Sequence, residues 1–298
     1  MTSVARLSAA LALAGGTFLS ARQIQLPSEP PKQFGASITG AFEGWFDNPD
    51  GSHSFLVGYL NRNRARAVDV PIGPNNQVEP GGPDMGQPTH FLPGRQFGMF
   101  IVTVPKEFTP QQRLTWTLTV NGQTTSIPLR LHPDYTISPF KIQHDVTLVN
   151  TPPILRFDES GQGVQGPAAI VTRPVLTHMV SMSMPLSLTF WTEDDAKYSS
   201  GTNAPRTNPP PPVQLTWSKY RGRGTVTFDK DKPQVETLAG GGVNDQFRGK
   251  GVTTVTFSEP GEYMLHVTAN DYSGEGGGGE QCCWTTALVK VSVTPFIR

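Results

Sequence analysis

Apolar and polar positions alternate with a period of two along most of this chain, and the clearest case lies between Gly251 and Gly274. Val255 and Phe257 alternate with threonines, Glu259-Pro260-Gly261 makes a corner, and Tyr263, Leu265, Val267 and Ala269 alternate with Met264, His266 and Thr268. β-branched and aromatic residues at every second position predict two half-buried strands joined by a tight turn. The same alternation predicts strands at Leu186–Trp191, Val213–Ser218, Thr225–Phe228 and Ala287–Val293, with shorter ones at Ile154–Phe157 and Ala169–Thr172.

In the first half, Phe42–Phe46 and Phe55–Asn61 flank Asn48-Pro49-Asp50-Gly51, a turn sequence that predicts a hairpin. Met99–Val104, Leu114–Val120 and Thr125–Leu131 follow, the last two joined by Asn121-Gly122, a strong two-residue hairpin signal. Pro71–Gly98 carries proline and glycine with little periodicity and reads as a long ordered loop, a length that tends to carry function. No helical period occurs in either half. The fold class read from this pattern is all-β: two β-sandwich domains, the second with the strand count and turn spacing of an Ig-like sandwich. The boundaries read as residues 1–21 (export signal), 22–35 (linker), 36–140 (first sandwich), 141–153 (linker) and 154–298 (Ig-like sandwich).

Composition narrows the partners. The 24 basic and 24 acidic side chains cancel, which removes the electrostatic case for nucleic acid or an anionic membrane surface. The 31 glycines and 28 prolines in 298 residues mark a turn-rich protein rather than a disordered one. Arg6 followed by the apolar run Leu7–Leu19 has the form of a cleavable signal, with cleavage after Ala21. No later stretch is long and apolar enough for a transmembrane helix.

Three pieces carry a resemblance to a known family: Leu215-Thr216-Trp217 followed by Gly224–Phe228, then Thr254–Tyr263, then Leu265–Asp271 ending in Ala-Asn-Asp. In order and spacing they resemble bacterial extracellular Ig-like domains of the polycystic-kidney-disease type, over roughly residues 150–298. The resemblance implies a spacer, adhesion unit or accessory module. Glu193-Asp194-Asp195 stands where the family often has an Asp-Pro-Asp-Gly turn, and the loop carrying Cys282-Cys283-Trp284 is enlarged. Residues 36–140 resemble no family of known function.

The sandwich geometry places Thr192–Pro212 and Asp271–Cys283 at one end, opposite the tight turns Arg221–Gly224 and Ser258–Gly261. At that elaborated pole Glu193, Asp194, Asp195, Asn270 and Asp271 offer oxygen ligands suited to calcium; the competing reading is turn capping by Asp and Asn. Adjacent Cα atoms in trans sit about 3.8 Å apart, less than the ~4.4–6.8 Å a disulfide usually spans. Cys282 and Cys283 are therefore a vicinal disulfide, two thiols, a soft-metal site or a link to another chain, and export favours the disulfide forms. Trp45, Tyr59, Asn61 and Arg62 offer rings and planar polar groups for a sugar, against the reading that they are core and strand end. His90 and Arg95 are the polar residues to watch in the Pro71–Gly98 loop.

Gly161-Gln-Gly-Val-Gln-Gly166 has dinucleotide-loop spacing but Pro167 and the absence of a βαβ unit make it a plain loop. The six histidines show no paired metal-ligand spacing, and no nucleophile elbow occurs. The reading is an exported, non-catalytic surface or extracellular protein that binds a protein or glycan. The alternatives are a carbohydrate-binding accessory protein and an enzyme built on the 71–98 loop.

Overall fold

The computed structural model describes residues 29–143, 149–167, 176–182, 184–195, 212–239, 247–271 and 282–295. The first half contains β1 (Ile38–Asp47), β2 (His53–Asn61), β3 (Val68–Asp69), β4 (Asn76–Glu79), β5 (His90–Phe91), β6 (Gly94–Val104), β7 (Leu114–Val120) and β8 (Gln123–Leu129). β1, β2 and β6 form one antiparallel sheet; β4, β7 and β8 form another; β3 and β5 make a two-stranded ribbon. β1 and β2 meet through the expected turn, where the Asn48 carbonyl accepts from Gly51 N–H. Between β7 and β8, Asn121 and Gly122 both take positive φ (52° and 75°), the twist a two-residue hairpin needs. The two sheets close on Phe55, Val57, Tyr59, Phe100, Trp116, Leu118 and Leu129. Pro71–Gly98 is not strandless: it contains β4, β5 and the start of β6. Segments of two to four residues are too short to show a period, so the sequence pattern missed them.

After a 3-10 turn at Pro133–Tyr135 come β9 (Ile142–Gln143), β10 (Val149–Asn150), β11 (Ile154–Arg156), β12 (Val164–Gln165), β13 (Leu176–Ser181), β14 (Leu186–Asp194), β15 (Val213–Arg221), β16 (Val226–Phe228), β17 (Glu236–Thr237), β18 (Phe247–Phe257), β19 (Gly261–Asp271) and β20 (Trp284–Thr294). One sheet runs β12-β11-β14-β18-β16, the other β13-β20-β19-β15, with β13 parallel to β20. Lettered from β11 as strand A, this is the A-B-E-D sheet facing a G-F-C sheet, the arrangement of an Ig-like sandwich. Its core holds Leu188, Phe190, Leu215, Trp217, Val255, Tyr263, Leu265, Val267, Val289 and Val291. Ala169–Thr172, expected as a strand, lies outside the described residues.

The tight turns lie together as expected. Tyr263 is buried beside them; its hydroxyl donates to the Glu259 carbonyl at 2.8 Å and accepts from Gly224 N–H at 3.2 Å. Ser258 and Thr225 exchange hydrogen bonds between the same two turns.

The burial pattern shows how the two sandwiches relate. A strand with one face in water buries alternate residues, whereas one covered on both faces buries all of them. β7 alternates throughout, but Ser54–Tyr59 of β2, Gly98–Val102 of β6, Leu265–Ala269 of β19 and Trp284–Val289 of β20 are continuously buried. The outer face of the β1-β2-β6 sheet packs on the outer face of the β20-β19-β15 sheet. Leu56 and Ile101 of the first pack on Trp284 of the second. Tyr220 and Leu288 belong to the first sandwich's core cluster, with Met264 packed against it. The result is four sheets in a stack. The alternation of His266 and Thr268 with apolar neighbours predicted a solvent face; both are instead buried in this contact.

Candidate functional site

The end of the Ig-like sandwich opposite the tight turns is closed by the segment Asn150–Pro153, which crosses from one sheet to the other. Asn150 Nδ2 donates to Asp271 Oδ2 at 2.6 Å, at the end of β19. Thr151 N–H donates to Asp195 Oδ2 at 3.0 Å, just past the end of β14. Pro153 O accepts from the Thr285 hydroxyl on β20. Four of the five candidate oxygen residues, Asp194, Asp195, Asn270 and Asp271, thus sit at one pole, with Asp194 and Asp271 buried. Glu193 is turned away on the outer sheet face, where it accepts from Arg156 at 3.0 Å and pairs with Arg248 at 3.4 Å. Among the described residues no three His, Cys, Asp or Glu side chains are grouped to hold a metal ion. Most of Thr192–Pro212 and Asp271–Cys283 lies outside the described residues.

Cys282 and Cys283 form a vicinal disulfide across a cis peptide bond. Both are buried, and the Asp271 N–H reaches the Cys283 carbonyl at 3.4 Å, so the disulfide belongs to this pole. The next residue, Trp284, enters the contact between the sandwiches.

The first-sandwich candidates do not form one surface. Tyr59 is fully buried; burial raises its phenol pKa, and its oxygen accepts from Leu92 N–H at 2.8 Å. Asn61 is buried too, donating to the Phe91 carbonyl and accepting from Asn63. Neither presents a face to a sugar. The aromatic alternation that marked Tyr59 reflects the core, and the adjacent asparagines tie the strand end. Trp45 is half-buried, with its indole N–H on the His132 carbonyl and its ring edge-on to His53. Arg62 donates to Thr39 Oγ1 at 2.6 Å.

His90 and Arg95 also have separate settings. Arg95 donates to Glu43 at 2.5 Å and lies over the Phe97 ring. His90 Nδ1 is 2.7 Å from Asp69 Oδ1, and Lys219 of the second sandwich reaches the same oxygen at 3.2 Å. Burial pushes the Asp69 carboxyl pKa up, but His90 and Lys219 outweigh it and hold it below the ordinary value.

These contacts identify what the Pro71–Gly98 segment does: it clamps the sandwiches. Arg221 holds Asp84 through two parallel bonds of 2.8 and 2.9 Å and also donates to the Gln87 carbonyl; Arg221 keeps the Asp84 carboxyl pKa low. Thr89 N–H donates to the Tyr220 carbonyl, and the Tyr220 hydroxyl donates to the Gly86 carbonyl at 2.5 Å. Inside the segment, Asn76 donates to the Val70 and Pro88 carbonyls and accepts from Trp116 Nε1. A paired two-pronged arginine–carboxylate contact is among the more geometrically demanding polar interactions. The sequence signal for this clamp was only the proline and glycine content; its partners lie more than a hundred residues away.

No family model matches the chain. No curated protein matches it. Among solved structures, AggA, the major subunit of aggregative adherence fimbriae type I from Escherichia coli, is 12% identical over 41% of this chain and 92% of its own, with a TM-score of 0.19. A protein of unknown function from Porphyromonas gingivalis is 8% identical over 86% of this chain and 100% of its own, with a TM-score of 0.22. Domains 4 and 5 of the S-layer protein SbsC are 10% identical over 87% of this chain and 98% of their own, with a TM-score of 0.17. At such TM-scores these likenesses carry no argument. The all-β, Ig-like assignment rests on the sheets themselves. Among the described residues no helix is long and apolar enough to cross a membrane.

Proposed function

We propose that this chain is an exported, non-catalytic protein of the bacterial surface or extracellular space, in which a rigid pair of sandwiches presents a loop-bearing pole to a protein or glycan. The observation that carries the reading is the construction of that pole. Asn150 and Thr151 lock Asp271 and Asp195 at the ends of two facing sheets, the ends from which the sequence continues into 196–211 and 272–281. Loops on a rigid scaffold are where binding residues are usually carried. The clamp adds to the rigidity by fixing the second sandwich on the first. The resemblance of residues 150–298 to polycystic-kidney-disease-type domains and the signal-like Leu7–Leu19 run support the extracellular setting.

A catalytic reading on the 71–98 segment has less support, because His90 and Arg95 are engaged by different partners and the segment already has a structural task. Calcium stays a proposal for the pole alone, confined to Asp194, Asp195, Asn270 and Asp271. Two experiments test the reading. Expressed with residues 1–21 in a bacterial host, the chain should be accessible to added protease on intact cells; retention inside the cells sinks the extracellular part. Immobilised chain should capture a component of an extracellular-matrix and glycan array, with capture lost in Asp195→Ala and kept in Arg62→Ala. Equal capture by both variants would remove the pole from the proposal.

A further inference from the structure

We infer that the outer edge of β6 is an acceptor for an extended peptide strand of another protein. β6 is the last strand of its sheet, paired with β2 from His53↔Val104 to Val57↔Phe100. In an antiparallel pair every second residue turns its N–H and C=O away from its partner. Among the described residues no backbone or side-chain group bonds the Met99–Val104 backbone from that outer side. Past the bulge that β6 makes between Gln96 and Phe100, the stretch keeps regular register with β2 and carries no charge and no proline, devices that usually blunt an edge.

A cavity of about 450 Å³ runs along the same edge. Phe100–Thr103 forms one wall, and Met85, Met264 and Leu288 supply apolar surface from the loop and from the facing sheet. Asp84 and Arg221 also line it, but they pair with each other and together select no charge. The two features ask for one kind of occupant. A row of outward N–H and C=O groups at strand spacing is satisfied by another strand. The apolar floor accepts the side chains that such a strand turns inward at every second position. Two methionines in the lining adapt to side chains of different shape. The five regular edge residues Phe100–Val104 accommodate a strand of about 17 Å. A small apolar molecule would fill the floor but leave the backbone row unmet.

This site does not rest on the reading of the pole. Met264 and Asp271 are seven residues apart on β19, about 23 Å along a strand. The probe is a short synthetic peptide of alternating valine and threonine with lysine ends, alongside a twin N-methylated at every second residue. Hydrogen exchange of the full chain should show alternate Met99–Val104 amides exchanging fast. The peptide should protect them, the twin should not, and Met264→Lys and Met85→Lys should each weaken binding by about tenfold or more. Uniform protection without peptide, equal binding of both peptides, or no protection up to the solubility limit would each overturn the proposal. Protection that instead rises with protein concentration alone would assign the edge to a second copy and overturn it as well.

Discussion

Tyr220 offers the sharpest perturbation of the contact between the sandwiches. It projects from β15 of the second sandwich, is fully buried, and belongs to the first sandwich's core cluster. Its ring stacks on His266 at 5.8 Å with an interplanar angle of 17°, and its hydroxyl bonds the Gly86 carbonyl. Truncating a buried aromatic ring costs about 3–5 kcal/mol through lost burial and the cavity left behind, and the lost hydrogen bond adds about 1 kcal/mol. Tyr220→Ala should therefore lower the unfolding free energy by about 4–6 kcal/mol. Tyr220→Phe, which keeps the ring, should cost only about 1–2 kcal/mol, mostly from the carbonyl left without its donor. Urea denaturation followed by tryptophan fluorescence measures both. The parent should unfold in one steep transition, and Tyr220→Ala should broaden or split it as the sandwiches uncouple. A Tyr220→Ala protein within about 1 kcal/mol of the parent, with an unchanged slope, would refute the claim that this ring joins two cores.

Three further outcomes are expected. Gly98 has φ of 51°, and a Cβ there would lie 2.8 Å from the Trp284 ring, so Gly98→Val should destabilise by about 2 kcal/mol or more and red-shift the tryptophan emission. Asn76→Ala removes the acceptor of Trp116 Nε1 and the donor to two carbonyls; at about 1–3 kcal/mol for each buried group left unmet, it should loosen the 71–98 clamp, read as faster proteolysis within that segment. His266 is buried, and burial depresses its pKa from 6.5 to about 4. Between those values the unfolded chain binds a proton that the folded chain refuses. The stabilising difference is therefore complete above pH 6.5 and is lost as the pH falls toward 4, at about 1.4 kcal/mol per unit. Urea titrations at stepped pH should show this slope in the parent and a shallower one in His266→Leu; parallel curves would contradict the burial argument.

The sequence was most informative where structure is local. Asn121-Gly122 placed a hairpin because positive φ at two successive residues is a local requirement. The alternation around Leu265 and Val267 located the Ig-like core because one sheet face must be apolar. It was least informative where a surface is covered by a distant part of the chain. His266, Thr268 and Ser218 look like a solvent face in sequence, yet they lie under the first sandwich. The reason is that the first-sandwich residues that reach this face, Leu56 and Ile101 against Trp284 and Gly86 and Thr89 against Tyr220, are more than a hundred positions away. The candidate site divides in the same manner. The pole followed from strand order, whereas the turning of Glu193 to Arg156 and Arg248 depended on cross-strand register that residue types alone do not set. Tyr59 and Asn61 carried the chemistry of a sugar site in sequence but were needed inside.

Native-state hydrogen exchange on the intact chain tests the central claim most directly, that the two sandwiches form one body joined face to face. The doubly covered strands, Leu56–Tyr59 in the first sandwich and Leu265–Ala269 in the second, should share the highest opening free energy. That shared value should fall for both strands together in Tyr220→Ala. Opening of the second-sandwich strands at their own, lower free energy, unmoved by the Tyr220 substitution, would contradict it.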